Sequence, residues 1–162
     1  ITSLSNSGVP HGSAVSRNAK TLKKTIVDGK TFVTEGYEHL AIEYLVSEHN
    51  VPVENIDTVR TVKRWFELSD GSFSYPDLWV NSKPVEVKSV HYFISGVAKL
   101  KRCAVEIPDW KLIVMSGKNR VMISRKELLN LSPSELIVIA QQRETELKQT
   151  LRAQGQRRKN YQ

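Results

Sequence analysis

Two acidic residues and one lysine stand in this sequence at a spacing that suits hydrolytic chemistry. Eight residues separate Asp77 from Glu86, and Lys88 follows two positions after Glu86. The apolar–polar alternation from Pro84 to Ser89 predicts a strand that sends Glu86 and Lys88 to the same face. A hard cation takes carboxylate oxygens as ligands, and a water beside that cation attacks a phosphodiester well. We therefore interpret Asp77 and Glu86 as candidate metal ligands, and Lys88 as the residue that orients the water or neutralises charge in the transition state.

A surface hairpin is the alternative interpretation of these three residues. Acids and lysines at such spacings are common in proteins. In a hairpin of that kind the charged side chains merely face solvent, and the two acids bind nothing. The spacing leaves both interpretations open, so the elements that position the residues have to be considered next.

Hydrophobic periodicity predicts an alternation of strands and helices along the chain. An Asp-Gly pair between two β-prone runs indicates a hairpin over 25–33. Ser132 and Glu135 form the pattern of a capping box, with a proline between them, and predict the start of the last helix. The predicted helices cover 35–48, 91–106 and 132 to about 155, and the further strands cover 59–68, 72–80, 85–87, 110–115 and 120–124.

The order of these elements has a functional meaning. A helix, three strands, a helix and a further strand follow one another, and the last three form a right-handed crossover unit. Together with Pro76-Asp77 and Glu86-Val87-Lys88, this order resembles the PD-(D/E)xK nuclease superfamily over roughly residues 25–124, most of all its small phage-type homing and junction-cleaving members. The resemblance implies an α/β fold with a mixed α+β sheet, a restriction-endonuclease-like αβββαβ core and, here, an additional C-terminal helix.

The length and composition fit one globular domain with extensions. The chain has 162 residues, of which 40% are hydrophobic and 25% charged, so it can bury a sizeable core. Residues 1–18 are rich in Ser, Asn, Gly and His, which favours a flexible segment. We expect a basic flexible N-terminal arm over 1–24, a nuclease core over 25–131, and a C-terminal helix with a basic tail over 132–162.

The resemblance implies one more acid on the first helix, and helical geometry selects between two candidates. At about 100° per residue, Glu38 lies near Leu45 at the edge of the apolar stripe, whereas Glu35 falls on the far side toward water. An acid beside the buried face can reach a metal site on the sheet. We therefore assign this role to Glu38 and keep Glu35 as the second choice; the alternative is that Glu38 is a flanking residue paired with a lysine.

The resemblance also implies a mechanism. Asp77 and Glu86 would hold one Mg²⁺ or two, assisted by Glu38 and by the backbone carbonyl of Val87, and Mn²⁺ is expected to substitute. Lys88 would position the nucleophile. The implied product carries a 5′-phosphate. We thus expect a Mg²⁺-dependent endodeoxyribonuclease in which Glu38, Asp77, Glu86 and Lys88 are catalytic.

Three aromatic residues adjoin the motif residues, namely His39, His91 and Tyr92. Contact with a phosphate or a leaving group is one role for them. A packing or solvent role is the more common one for such neighbours.

The positive charge of the chain is concentrated at its two ends. The net charge is +7; residues 1–24 carry four basic residues and no acid, and residues 141–162 carry six basic residues against two acids. A near-neutral body with basic ends suits binding to a polyanion, so we expect DNA as the partner, although basic tails also serve solubility. Because few aromatic residues accompany these cations, backbone contact is favoured over base stacking. The expected DNA-binding residues are Arg17, Lys20, Lys23, Lys24, Arg152, Arg157, Arg158 and Lys159.

The last helix carries a narrow apolar stripe made of Leu136, Ala140, Leu147 and Leu151. Two explanations of the stripe are open. It docks the helix on its own domain, or it forms the seam of a homodimer, which would place two active sites on opposite strands of a duplex.

Several classes of protein are excluded or disfavoured. Cys103 is the only cysteine, so neither an intramolecular disulfide nor a thiolate zinc site can form. No run approaches ~18 consecutive apolar residues and no secretory segment is visible, so we expect no membrane span and a cytoplasmic protein, in a host cell if phage-encoded. The alternatives are a non-catalytic nucleic-acid-binding protein with a nuclease-like fold, and a ribosome- or polymerase-associated basic adaptor. Clustered acids argue against both, because a pure binder gains nothing from acids near a polyanion.

Overall fold

A five-stranded mixed sheet with helices on both faces forms the centre of the protein. The computed structural model describes residues 3–5 and 22–160, with side chains for 22–160. The strands are β1 (Ser3–Ser5), β2 (Leu22–Val27), β3 (Lys30–Glu35), β4 (Ile56–Thr58), β5 (Arg64–Glu67), β6 (Phe73–Ser74), β7 (Leu78–Val80), β8 (Lys83–Ser89), β9 (Lys111–Ser116) and β10 (Asn119–Val121). The helices are α1 (Glu38–His49), α2 (Val90–Glu106), α3 (Arg125–Asn130) and α4 (Pro133–Asn160), and a 3₁₀ turn covers Val53–Asn55.

The central sheet has the strand order β10–β9–β8–β7–β4. Strands β8 and β9 are parallel, while the other neighbouring pairs are antiparallel. A parallel pair needs a long crossover, which α2 supplies. The Ser89 side chain caps the start of α2 by accepting a hydrogen bond from the Tyr92 N–H at 3.3 Å. The predicted mixed sheet and the predicted C-terminal helix are both confirmed.

The two faces of the central sheet pack against different helices. In β8, Val85 and Val87 join a core with buried residues of α1. In β9, Val114 joins a second core, which α2, α3 and α4 complete. Because successive side chains of a strand point to opposite faces, Glu86 and Lys88 point away from the α1 face.

Strands β2 and β3 form the hairpin predicted around Asp28 and Gly29. Both residues have positive φ, 48° and 82°, as the tight two-residue turns of β-hairpins require. The Lys30 Nζ donates to the carbonyl oxygens of Val53 at 3.1 Å and Ile56 at 2.7 Å. These bonds tie the hairpin to the 3₁₀ turn and to β4.

The strands predicted for the middle of the chain are wrong in their extent. The segment 59–68 begins as a turn that closes on the Thr58 carbonyl, and only its end forms β5. Strand β5 belongs to a second sheet, of order β1–β5–β6. The predicted strand 72–80 is divided into β6, which pairs with β5, and β7, which belongs to the central sheet. Pro76 lies between them and has no N–H for a ladder hydrogen bond. The edge strand β4 of the central sheet was not predicted from the sequence.

Capping boxes start both C-terminal helices. The box predicted for α4 is confirmed, since the Glu135 N–H donates to Ser132 Oγ at 3.2 Å and the Ser132 N–H donates to Glu135 Oε1 at 3.1 Å. Helix α3 was not predicted, although Ser124 and Glu127 form the same motif before it. Among residues 22–160, no helix combines the length and the apolar character that a membrane crossing needs.

The apolar stripe of α4 divides into a packed part and an exposed end. Leu136 and Ala140 are fully buried and Leu147 packs against the same core, whereas Leu151 is 40% exposed. Docking on the domain therefore accounts for the first three residues, and the homodimer seam stays a prediction. The helix continues past its predicted end, and all side chains of 148–160 are exposed, so roughly 20 Å of helix extends from the body at ~1.5 Å per residue.

Candidate active site

The short hairpin between β7 and β8 brings Asp77 alongside Glu86. Leu78 pairs with Val85, so the residue before Leu78 and the residue after Val85 stand opposite each other. The Val87 N–H donates to Asp77 Oδ2 at 2.8 Å, which holds that carboxylate against β8. Both acids are buried, with exposed fractions of 9% and 8%. The eight-residue interval in the sequence is thus the length of a hairpin that places two carboxylates together.

The surroundings of Glu86 oppose its ionisation. Burial and, after it, the negative charge of Asp77 raise the pKa of Glu86 from its ordinary 4.5 to about 8, against the opposing effect of Lys88. The Lys88 Nζ lies 3.0 Å from Glu86 Oε1, and the lysine side chain is one-third exposed. If both carboxylates were ionised, the single lysine would leave an excess of negative charge in this shielded position. The raised pKa keeps Glu86 protonated at neutral pH, and a bound cation would favour its ionised form.

Glu38, the first residue of α1, is buried, as its predicted position beside the apolar stripe requires. Its exposed fraction is 5%, and its Oε2 accepts a hydrogen bond from the Glu35 N–H at 3.1 Å. Glu35 is half-buried and is the last residue of β3, so the helical comparison that placed it toward water was wrong. The catalytic role of Glu38 stays a prediction.

Two clefts meet at Asp77 and Lys88. The larger, of about 500 Å³, contains Glu38 and is called here the Glu38 cleft. The smaller, of about 280 Å³, contains Glu86 and is called the Glu86 cleft. Asp77, Lys88 and Tyr92 line both, so the two clefts form one groove. The four predicted catalytic residues all line this groove, but Glu38 and Glu86 belong to its different halves.

The groove offers the donors that Mg²⁺ prefers, in small number. Within the part of the chain that the structure describes, no three acidic, histidine or cysteine side chains are close enough to make a complete metal cluster. Mg²⁺ keeps several water ligands and binds to proteins through one or two carboxylates. Asp77 and Glu86 supply two, and Val87 and Glu38 line the adjoining cleft. The donor set therefore fits a hydrated Mg²⁺ better than a fully protein-ligated metal.

Of the three aromatic neighbours of the motifs, Tyr92 lines the groove. It is 61% exposed, and its ring meets the exposed His91 ring edge-on with 5.3 Å between centroids. His39 is half-buried, and its Nδ1 has no hydrogen-bond partner among the described residues. The groove also contains Tyr75 and Lys99, which sequence reasoning missed. Tyr75 immediately precedes the Pro-Asp motif, whereas Lys99 belongs to no motif and lines the groove only because α2 crosses beside it.

Those of the predicted DNA-binding residues that the structure describes do not line the groove. Arg17 and Lys20 lie outside the described residues. Lys23 and Lys24 are exposed on β2, and Ser3–Ser5 pairs with β5, so parts of the expected flexible arm belong to strands. The remaining four are exposed on the free end of α4, and these are Arg152, Arg157, Arg158 and Lys159.

Comparison with known proteins gives no match to this chain: no family model fits it, and no curated protein or solved structure is significantly similar. Its function is therefore inferred from the residues of the groove and their geometry.

Proposed function

We propose that this protein is a Mg²⁺-dependent DNA endonuclease that hydrolyses phosphodiester bonds with a PD-(D/E)xK-type core. The observation that carries the proposal is the buried pair Asp77 and Glu86, with Lys88 3.0 Å from Glu86. A surface hairpin would leave these charges in water. Two adjacent buried carboxylates cost stability rather than contribute it, so a site that receives a cation explains them better.

The order of elements supports the same proposal. Helix α1, the strands β4, β7 and β8, helix α2 and strand β9 follow one another in the chain and build the central sheet and its crossover. This order agrees with the helix, three strands, helix and strand that we expect for a nuclease core. Strands β5 and β6 lie between β4 and β7 in the chain but belong to the second sheet, so they leave this order intact.

The residues of the groove have distinct parts in the proposed hydrolysis. A Mg²⁺ held by Asp77 and Glu86 would supply an activated water and offset the charge of the phosphate. The Val87 N–H keeps Asp77 in place for that purpose. Lys88 lines both clefts and brings a positive charge to the attacked phosphate and its water. Glu38 supports the metal ligands from the larger cleft, and the product is proposed to carry a 5′-phosphate.

DNA binding is proposed to come from the exposed cations away from the groove. The free end of α4 carries basic residues without packed neighbours, and the outer hairpin carries Lys23 and Lys24. Such cations bind phosphates irrespective of base sequence, with an affinity that falls as the salt concentration rises.

Cleavage of a supercoiled plasmid and of a branched DNA, with Mg²⁺, with Mn²⁺ and with EDTA, tests the proposal. We expect cleavage with either cation and none in EDTA. The Asp77→Asn variant excludes a contaminating nuclease, and Glu67→Gln on the exposed face of β5 is the matched control. Retained DNA binding without cleavage under all conditions would instead support the non-catalytic binding protein.

A further inference from the structure

The Glu86 cleft has a lining that metal-dependent hydrolysis does not by itself require. Besides the acids and Lys88, it is lined by the aromatic residues Phe73, Tyr75 and Tyr92 and by Gly96 and Lys99 of α2. Its volume of about 280 Å³ is close to the lower end, roughly 300 Å³, of pockets that hold small ligands. Space of this size beside the reacting phosphate suits one flat ring system.

The aromatic residues of the cleft provide surfaces for stacking. The Phe73 and Tyr75 rings lie 6.5 Å apart between centroids with a tilt of 37°, and Tyr92 is largely exposed at the junction of the two clefts. The Tyr75 hydroxyl is buried and has no hydrogen-bond partner in the described part of the chain. A nucleobase has a π-face for stacking and an edge with both donors and acceptors.

The walls of the cleft are fixed independently of any ligand. The Lys99 Nζ donates to the Phe73 carbonyl at 2.7 Å, which ties α2 to β6 across the cleft. The Ser95 hydroxyl donates to the Tyr92 carbonyl at 3.2 Å within α2. A preformed cleft of this kind loses little conformational entropy when a ring enters it.

We propose that the Glu86 cleft binds one unpaired nucleobase next to the scissile phosphate, and that the substrate is DNA with an unstacked nucleotide at the cut. This inference rests on the proposed nuclease function. Asp77 and Lys88 line both clefts. Because the proposed nuclease would bring the reacting phosphate to these two residues, a base in the Glu86 cleft would belong to a neighbouring nucleotide of the same strand. In a regular duplex the bases are stacked inside and cannot enter, whereas a bulge, a flap or a single strand presents a base at little cost.

Gly96 allows the cleft to be filled without disturbing the fold. It lies within α2, and a Cβ added to it meets no atom within 4 Å. Gly96→Leu therefore places its side chain in free space beside the cleft, and leucine favours the helix more than glycine does. Ala98→Leu is the matched control, because Ala98 is exposed on the same helix and does not line the groove.

Three substrates of one sequence test the inference: a fully paired duplex, the duplex with one bulged nucleotide at the cut, and the same bulge as an abasic site. We expect the wild type to cut the bulged DNA at least ~10-fold faster than the paired DNA, because unstacking a paired base costs a few kcal/mol. The abasic bulge should lose this advantage. In Gly96→Leu the ratio of bulged to paired cleavage should fall to about one, and in Ala98→Leu it should stay as in the wild type.

Binding measured by fluorescence anisotropy with Asp77→Asn separates this inference from the nuclease proposal. The variant should bind bulged DNA at least ~10-fold tighter than paired DNA, and adding Gly96→Leu should remove the difference. Equal cleavage and equal binding of bulged and paired DNA overturn the base-binding cleft while the nuclease proposal stands. If bulged DNA binds more tightly than paired DNA but the wild type cleaves no substrate, the nuclease proposal is overturned and the base-binding cleft stands.

Discussion

The groove and the C-terminal helix have opposite effects on the pKa of a glutamate: the groove raises it and the helix lowers it. In the groove, Asp77 and Glu86 lie together in a buried position with one lysine beside them, and the pKa of Glu86 is raised to about 8. On α4, Arg143 donates from its two terminal nitrogens to the two carboxylate oxygens of Glu127, at 2.9 Å and 2.6 Å. These bonds lower the pKa of Glu127 to about 2.

The difference separates charges that serve the fold from charges that serve a site. The Arg143–Glu127 pair joins α4 to α3 in a two-point geometry, and each partner favours the ionised form of the other. In the groove, burial and the negative charge of Asp77 disfavour the ionised form of Glu86, so ionised Glu86 destabilises the fold unless a cation is bound. A carboxylate in a cleft whose ionisation the surrounding protein opposes is a sign of function, because a structural role is better served by a pair such as Arg143 and Glu127.

The strongest test of this comparison is removal of each groove acid. Asp77→Ala and Glu86→Ala should each lower the single-turnover cleavage rate at least ~10³-fold, since each removes a ligand of the proposed cation. DNA binding, measured by anisotropy, should stay or become stronger, because repulsion of phosphate is also removed. Glu127→Ala is the control. At temperatures below its melting temperature, its cleavage rate should stay within a few-fold of the wild-type rate. Wild-type cleavage by both groove variants in Mg²⁺ would show that the nuclease proposal is wrong.

The free end of α4 should affect binding and not chemistry. Changing Arg157, Arg158 and Lys159 together to Gln should weaken binding more than ~10-fold at physiological salt, similarly for all DNA sequences, and lower the salt slope by about 0.9 for each phosphate that these cations no longer neutralise. Cleavage should recover at high enzyme concentration and low salt, because the groove is intact. The control with the same change of charge alters three exposed lysines elsewhere, namely Lys63, Lys83 and Lys118. An equal decrease of affinity in the control would assign the effect to net charge.

A comparison of Glu38 with Glu35 tests which acid near the start of α1 contributes to cleavage. Glu38→Gln should reduce the cleavage rate at least ~10-fold, since its buried carboxylate lines the groove beside Asp77. Glu35→Gln should change the rate by less than ~3-fold, because Glu35 holds Glu38 through its backbone N–H, which the substitution leaves in place. Glu43→Gln is the control, because Glu43 is exposed on α1, and it should leave the cleavage rate unchanged. The reverse ranking of Glu38 and Glu35 would mean that the first-helix acid is assigned to the wrong residue.

Much of the candidate site could be predicted from the sequence because its parts are local. The alternation of Pro84–Ser89 marks β8, and the eight-residue interval between the acids matches a hairpin length. Apolar periodicity placed Glu38 on the buried side of α1. In each case a repeat of two or of 3.6 residues decides which side chains share a face.

The rest depends on tertiary packing that a linear pattern does not contain. Strand β4 has only three residues, too few to show a period, and its place in the sheet is set by pairing with β7. Pro76 has no N–H for a ladder hydrogen bond, so it disfavours the continuous strand predicted over 72–80. The Glu86 cleft combines Phe73 of β6 with Lys99 of α2, and only the crossover of α2 brings them together.

The smallest expected effect is on stability, and it should have opposite signs in the two regions. The pKa of Glu86 is raised above its ordinary 4.5 to about 8. The contribution of Glu86 to the free energy of unfolding is therefore most favourable below pH ~4.5 and is lost as the pH rises through about 8. The pKa of Glu127 is lowered to about 2, so its contribution is present above pH ~4.5 and is lost as the pH falls toward 2.

Thermal melts in EDTA, followed by circular dichroism, check both signs. Glu86→Gln should melt above the wild type at pH 8 and above, and the difference should shrink toward pH 4.5, where Glu86 is protonated in the folded protein. Glu127→Gln should melt below the wild type at neutral pH, with a difference that narrows as the pH approaches 2. Shifts of a few degrees are expected, since ~1 kcal/mol moves the melting temperature by about 2–4 °C in a domain of this size. A Glu86→Gln variant that melts below the wild type at pH 8 would mean that Glu86, like Glu127, is compensated by the fold, and the groove would then lose its excess of negative charge as an argument for a cation.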